Sequence, residues 1–255
     1  MGQRKRKMKH RRFRVRKESI QGREAVIEDR SEIRHISKVL RLGIGDRVTL
    51  FDGEGKEYPA CIERLSSDQV SFTLIEEPTL TPKESSLRII LGVALLKSSK
   101  FEWLLQKITE LGVSEILPLY SRHVVPRWEG GQTRTRVDRW EKIVSEAAKQ
   151  CGRAMIPKIH EPRSFEETLA IEFDEATKIF LWEREETKNL KDALATFSSV
   201  VFVLVGPEGG FSEDEAIQAQ EAGFRPVRLG PRILRAETAG IVIVSLLQFL
   251  FGDLR

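Results

Sequence analysis

The sequence predicts an α/β fold preceded by a small β-barrel, and three patterns carry that prediction. From Leu87 onward, apolar strand-like runs alternate with amphipathic helical stripes, the signature of a largely parallel sheet covered on both faces. Val201 to Val205 is apolar throughout, as a strand buried on both faces must be. Before residue 76, short strand-like runs are separated by tight polar turns, the spacing of a small antiparallel barrel. A chain of 255 residues buries roughly three quarters of its unfolded surface, so one or two domains need no covalent staples. The expected division is a basic arm and barrel over residues 1–78, then an α/β domain over residues 79–255.

The first 17 residues hold ten Lys or Arg and no acid, whereas the rest carries 32 basic and 38 acidic groups, a formal charge of −6. A positive arm on a mildly acidic body suits a polyanion partner; a solvated tail is the other reading. Phe13 and Val15 alternate with Arg12, Arg14 and Arg16, so the end of the arm reads as an edge strand. Ala25 to Glu28 is a short strand. Ser31 then opens a helix with Ile33, Ile36, Val39 and Leu40 on one face, ended by Gly43 and Gly45. Strands Val48 to Phe51, Tyr58 to Leu65 and Val70 to Ile75 flank turns at Asp52-Gly53 and Ser66 to Asp68. Glu76 to Ser86, with two prolines and no periodicity, is a linker.

In the second domain, Arg88 to Leu96 is the first strand. Ser99 and Glu102 have capping-box spacing ahead of a stripe of Phe101, Leu104, Leu105, Ile108 and Leu111, and Gly112 stops that helix. Val113 to Leu119 is a strand, and a helix over about Val137 to Cys151 buries Trp140, Ile143, Val144, Ala147 and Ala148. Ile179 to Trp182, Val201 to Val205 and Val227 to Gly230 are further strands. Ile241 to Phe251 reads as a buried helix, too short for the roughly 20 residues a bilayer requires. Cys61 and Cys151 are too isolated for disulfides or a thiolate metal site, and His10, His123 and His160 lack metal-ligand spacing. With no apolar stretch behind the charged start, the expectation is a cytoplasmic protein without a metal or a membrane partner.

Two segments carry chemistry. Val201 to Val205 runs into Gly206-Pro207-Glu208-Gly209-Gly210-Phe211-Ser212, and Ser212 with Glu215 has capping-box spacing for the next helix. A glycine turn between a central strand and a helix is where open α/β sheets place ligands, although a tight turn alone would use the same residues. Neither a Walker A loop nor a dinucleotide fingerprint is present. The second segment, Pro231 to Ala239, sets two arginines, Glu237 and Thr238 before the last apolar helix, which is also ordinary helix-start chemistry.

Together the strings GPEGGFS (206–212) and LGPRILRAETA (229–239), with the terminal Gly252-Asp253, resemble the ribosomal RNA small-subunit methyltransferase E family of the SPOUT superfamily. The resemblance extends through KITELGV (107–113), PLYSRHV (118–124), EAAKQCGRAMIP (146–157) and HISKVLRL (35–42), spanning about residues 12–255. It implies a PUA-like N-terminal barrel, a C-terminal SPOUT domain with a deep trefoil knot, and a homodimer. It also implies S-adenosylmethionine-dependent methylation of N3 of a uridine in the decoding region of 16S rRNA, free or in the small ribosomal subunit. Related activities on RNA ribose or tRNA, or a ribosome-binding role without catalysis, are the alternatives.

On the same resemblance, the methyl donor maps onto Gly206, Pro207, Glu208, Gly209, Gly210, Leu229, Gly230, Ile233, Leu234, Arg235, Thr238 and Ala239, with Leu181 and Glu183 before a loop over the ribose. Uridine N3 is protonated at neutral pH, so the site must take its proton and steady charge on two ring carbonyls. Arg235 is the first candidate for that charge, because a guanidinium offers a rigid fork of donors, and phosphate binding or pairing with Glu237 is its other use. Arg122 and Arg153 follow, either of them from across a dimer. Glu208 and Glu237 are the candidate proton acceptors. Arg11, Arg12, Arg14, His35 and Arg41 are candidate RNA contacts on the barrel.

Overall fold

The structure, a computed structural model, describes residues 11–80, 84–123, 131–185, 190–194 and 198–254. The basic stretch 1–10 and Val124 of the PLYSRHV piece lie outside the described residues. The chain forms two compact units: residues up to Glu84 together with Ala148–Ile156, and Ser85–Ala147 together with Pro157 onward.

In the first unit, β1 (Arg12–Arg14), β2 (Ile20–Gln21), β3 (Glu24–Ile27), α1 (Arg30–Arg34), β4 (Arg47–Phe51), β5 (Lys56–Leu65), β6 (Val70–Leu74) and β7 (Thr79–Leu80) follow in order. The strands make one curled sheet, ordered β1-β4-β5-β6-β3-β2 with β7 on β5. The RFRV alternation does give an edge strand, but β1 runs parallel to β4, with Phe13 opposite Leu50. Phe13, Ile36, Leu50, Ile62 and Phe72 fill the interior.

Three expectations change here. Asp29, not Ser31, caps α1, its carboxylate accepting the Glu32 N–H at 2.9 Å. The next turn, His35–Val39, widens to a π-helix, with Leu40 N–H donating to the His35 carbonyl. One extra residue in the turn shifts the 3.6-residue phase, so Val39 leaves the apolar face and is exposed. The helix ends at Arg41, which takes φ +52° itself, ahead of Gly43.

The second unit runs β8 (Arg88–Ala94), α2 (Ser98–Glu110), β9 (Glu115–Tyr120), α3 (Gly131–Cys151), β10 (Lys158–Ile159), β11 (Arg163–Ser164), α4 (Phe165–Leu169), β12 (Thr177–Leu181), α5 (Leu190–Ala193), β13 (Val200–Val205), α6 (Glu213–Glu221), β14 (Arg225–Val227) and α7 (Ala236–Phe251). The end of α3 and the turn after it, Ala148–Ile156, pack in the first unit. The sheet order is β10-β9-β8-β13-β12-β14, with β11 on β9, and every pairing is parallel. The α/β expectation therefore holds, and β13 is buried nearly throughout, as its apolar run requires.

Local chemistry overrides three readings. The Ser99 and Glu102 capping box does not form, because α2 starts two residues earlier, with Lys97 at the cap position; Ser98 Oγ donates to Glu102 instead, at 3.1 Å. The strand read at Val227 to Gly230 lies at Arg225–Val227, and Gly230, at φ +89°, turns residues 228–230 into a loop. Helix α7 is only half buried. Ile243, Val244, Leu247 and Gln248 face inward, with Gln248 Nε2 donating to the Gly112 carbonyl at 3.1 Å, while Phe249 is 60% exposed. Among the described residues, no helix is long and apolar enough to cross a membrane.

Candidate active site

Three adjacent parallel strands, β13, β12 and β14, end on the same side of the sheet, and the segments leaving them enclose a cavity of about 290 Å³. That volume is at the lower end for small-molecule sites. Leu181 ends β12 and leads to Trp182 and Glu183, Val205 ends β13 and leads to Gly206 to Gly210, and Val227 ends β14 and leads to Arg228 to Gly230 and Arg232 to Leu234; Ala236 and Ala239 of α7 complete the wall. The GPEGG and LGPRILRA strings, some twenty residues apart in sequence, thus meet around one space.

The turn is fixed at both ends. Ser212 caps α6 with both halves of its box present: its Oγ accepts the Glu215 N–H at 3.2 Å, and the Glu215 carboxylate accepts the Ser212 N–H at 2.8 Å. Glu215 is buried and also accepts the Arg122 N–H at 2.8 Å. Gly210 has φ +71°, and a Cβ there would collide with the Glu183 carboxylate, so that side chain lies against the turn only because residue 210 has none. His123 Nδ1 stands 3.3 Å from the Gly210 carbonyl oxygen.

All the predicted donor-binding residues line the cavity except Arg235 and Thr238. Arg235 is the exposed residue before α7, its carbonyl accepting the Ala239 N–H. Ile233 is 83% exposed at the rim. Glu208 lies in the lining, and Glu237, in the first turn of α7, is almost buried, with Oε2 lacking a hydrogen-bond partner among the described residues. Between them sits Lys100, Nζ 3.2 Å from Glu208 and 3.7 Å from Glu237.

Other candidates lie elsewhere. Arg122 is exposed and pairs with Asp214 at 2.7 Å, outside this lining. Arg153 belongs to the first unit, buried, with its guanidinium on Glu84 at 3.0 Å. Arg12 is also buried there: it pairs with Glu57, donates to the Arg153 carbonyl at 2.9 Å and lies over the Phe51 ring. Its place as a surface RNA contact is corrected to an internal tie, because Arg153 covers the face of β1 that alternation leaves to solvent. Arg11 pairs with Asp46 at 2.9 Å, His35 is half-buried beside Phe13, and Arg14 and Arg41 are exposed.

Sequence reasoning missed Arg228 in the lining and Lys100 behind it, and it marked the stretches that hold Trp182 and Arg232 without naming either as a contact. Arg228 directly adjoins Leu229, which was singled out, so proximity could have found it. Lys100 had no such signal, being 108 residues from Glu208.

The fold is that of an RNA methyltransferase: the chain matches the sequence profile of the RNA methyltransferase domain over residues 83–248 and of the RNA methyltransferase PUA domain over residues 27–75. It is 33% identical to the ribosomal RNA small subunit methyltransferase E of Buchnera aphidicola from Acyrthosiphon pisum, across 88% of each chain. The Bacillus subtilis enzyme of that name is 30% identical, across 86% of this chain and 87% of its own. A crystal structure of the Neisseria gonorrhoeae ribosomal RNA small subunit methyltransferase E bound to S-adenosyl methionine superposes with TM-score 0.87 at 33% identity, covering 96% of this chain and 99% of that one. The chain belongs to the ribosomal RNA small subunit methyltransferase E family.

Proposed function

We propose that this chain binds S-adenosylmethionine in the cavity at the ends of β12, β13 and β14 and methylates N3 of a uridine in the decoding region of 16S rRNA. One observation carries the reading: the GPEGG turn and the Leu229–Leu234 loop enclose a single cavity in a member of a family whose Neisseria representative holds that donor. The residues fit the group. Gly206, Gly209 and Gly210 line the cavity with backbone alone, apolar sides come from Leu181, Leu229, Ile233 and Leu234, and the unpartnered indole N–H of Trp182 belongs to a lining residue. When bound, the donor supplies a methyl group on a sulfonium sulfur.

The remaining work falls to side chains. Arg235, exposed beside the rim, would steady the charge that spreads onto the uridine carbonyls as N3 loses its proton. Glu208 or Glu237 would accept that proton. Arg122, which is exposed, would act from the partner subunit of a homodimer, for which the α7 surface with Leu246, Phe249 and Leu250 is a suitable apolar face; Arg153, buried on Glu84, would serve its own subunit instead. Arg14 and Arg41 would meet RNA on the barrel, in the cytoplasm, without a metal.

Labelled donor incubated with naked 16S RNA, with small subunits and with tRNA, followed by nucleoside mass spectrometry, tests this reading. It expects 3-methyluridine at one site. Ribose methylation or labelled tRNA would favour the related activities, and donor binding without transfer would favour a ribosome-binding protein.

A further inference from the structure

We infer that Lys100 is a positioning residue that ties together the two segments enclosing the cavity, acting through Glu208 and Glu237. The inference rests on the donor-binding reading only for its ligand; the tie itself is visible without one.

Three elements converge on Lys100. It lies in the first turn of α2, Glu208 lies on the turn after β13, and Glu237 lies in the first turn of α7. Its Nζ reaches Glu208 Oε1 at 3.2 Å and Glu237 Oε1 at 3.7 Å. The register is set by helix packing. One turn further along, Leu104 of α2 rests on Gly240 of α7, so closely that a Cβ on Gly240 would stand 3.0 Å from Leu104 Cδ1. That contact holds the two helices at a separation where residues 100 and 237 meet.

The charges make the contact consequential. The Glu237 side chain is only 10% exposed, and one of its oxygens has no hydrogen-bond partner among the described residues. A carboxylate so buried depends on its cation and on the positive end of α7, and removing the cation leaves charge uncompensated. Glu208 lies on the Gly206–Gly210 turn, so repulsion between two unneutralised carboxylates would drive that turn away from α7 and widen the cavity. With Lys100 in place, one ammonium faces two carboxylates, and the surplus negative charge suits a singly positive ligand.

The test compares wild type, Lys100→Met, Lys100→Arg, Glu208→Gln and the Lys100→Met/Glu208→Gln double variant. Calorimetry gives the Kd for S-adenosylmethionine, and limited proteolysis of the ligand-free proteins gives the rate of cutting within residues 206–212. Lys100→Met should weaken donor binding about tenfold and speed that cutting by a similar factor, Lys100→Arg should restore both to within about threefold, and the double variant should lose little more than either single one. Equal cutting in Lys100→Met and wild type would overturn the tie, as would losses in Kd that simply multiply in the double variant. A wild type that takes up no donor, yet shows the difference in cutting, upholds the tie and sinks the donor-binding reading instead.

Discussion

Arg12 begins a strand and Arg235 precedes a helix, yet their surroundings are opposite. Arg12 is enclosed by Glu57, the Arg153 carbonyl and the Phe51 ring, and Arg11, Lys149 and Arg153 in the same unit also sit on carboxylates. Arg235, with Arg228 and Arg232 beside the cavity, has no carboxylate within ion-pair distance among the described residues. A cation on a carboxylate fixes the protein to itself, whereas one without such a partner keeps its donors for something else. Family motifs mark both kinds of arginine in the same way, and only the packing separates them.

The largest effect should come from breaking an enclosed pair. Arg12→Leu leaves Glu57 largely buried without its cation, and should cost the first unit roughly 3–5 kcal/mol while leaving donor affinity in the second unit unchanged. Urea unfolding and calorimetry measure the two quantities. A destabilisation below about 1 kcal/mol would mean that the pair behaves like an exposed one.

Gly210→Val comes next. Positive φ opposes a side chain there, and one that pushes the Glu183 carboxylate aside would rearrange the cavity wall, so donor affinity should fall about hundredfold, with some loss of thermal stability. At Gly209 an added Cβ would stand 3.5 Å from His123, an ordinary contact, so Gly209→Ala should leave stability alone. Any affinity it loses reports ligand contact. Equal donor binding in Gly210→Val and wild type would make the turn a purely structural feature.

A third contrast is a paired cation cluster inside the second unit. Hydrogen bonding from His160, at 2.8 Å, and then from Arg88 holds the Glu115 carboxyl down at about 2, against the opposing effect of burial. The unfolded chain binds this proton near 4.5, so the stabilisation is fully present above that pH and is lost as pH falls toward 2. The full displacement corresponds to about 3 kcal/mol, solvent screening of this partly exposed carboxylate lowers the expected loss to about 2 kcal/mol, and Glu115→Gln should remove that part of the acid dependence. Parallel acid unfolding of variant and wild type would show that the cluster contributes nothing there.

Much of this was legible in the sequence where one local rule acts alone. The Val201 to Val205 run, the Ser212 and Glu215 box and the edge strand at Arg12 to Arg14 each follow from a few adjacent residues. The misreadings occurred where a second element intervenes. Ser99 lost its capping role because α2 begins at Ser98, Val39 left its face because a π turn changed the phase, and Arg12 was covered by the segment around Arg153. Lys100 was invisible for the same reason, since its two carboxylates arrive from separate segments more than a hundred residues away. The site was readable as two strings; how they meet is a property of the parallel sheet.

The smallest predicted effect tests the open side of the comparison most directly. Arg235→Lys keeps the positive charge at the start of α7 and, being exposed and without an ion partner among the described residues, should change stability little. What it removes is the planar fork, which can address a uridine carbonyl and a neighbouring acceptor at once, whereas an ammonium is a single point of charge. Because that use arises only as charge develops on the base, turnover should fall about tenfold while donor affinity stays within about twofold. Steady-state kinetics on small-subunit RNA, with donor Kd measured separately, divides the two. Unchanged turnover would assign Arg235 to a purely Coulombic task such as holding phosphate, and equal losses in turnover and donor affinity would place it among the groups that hold the donor.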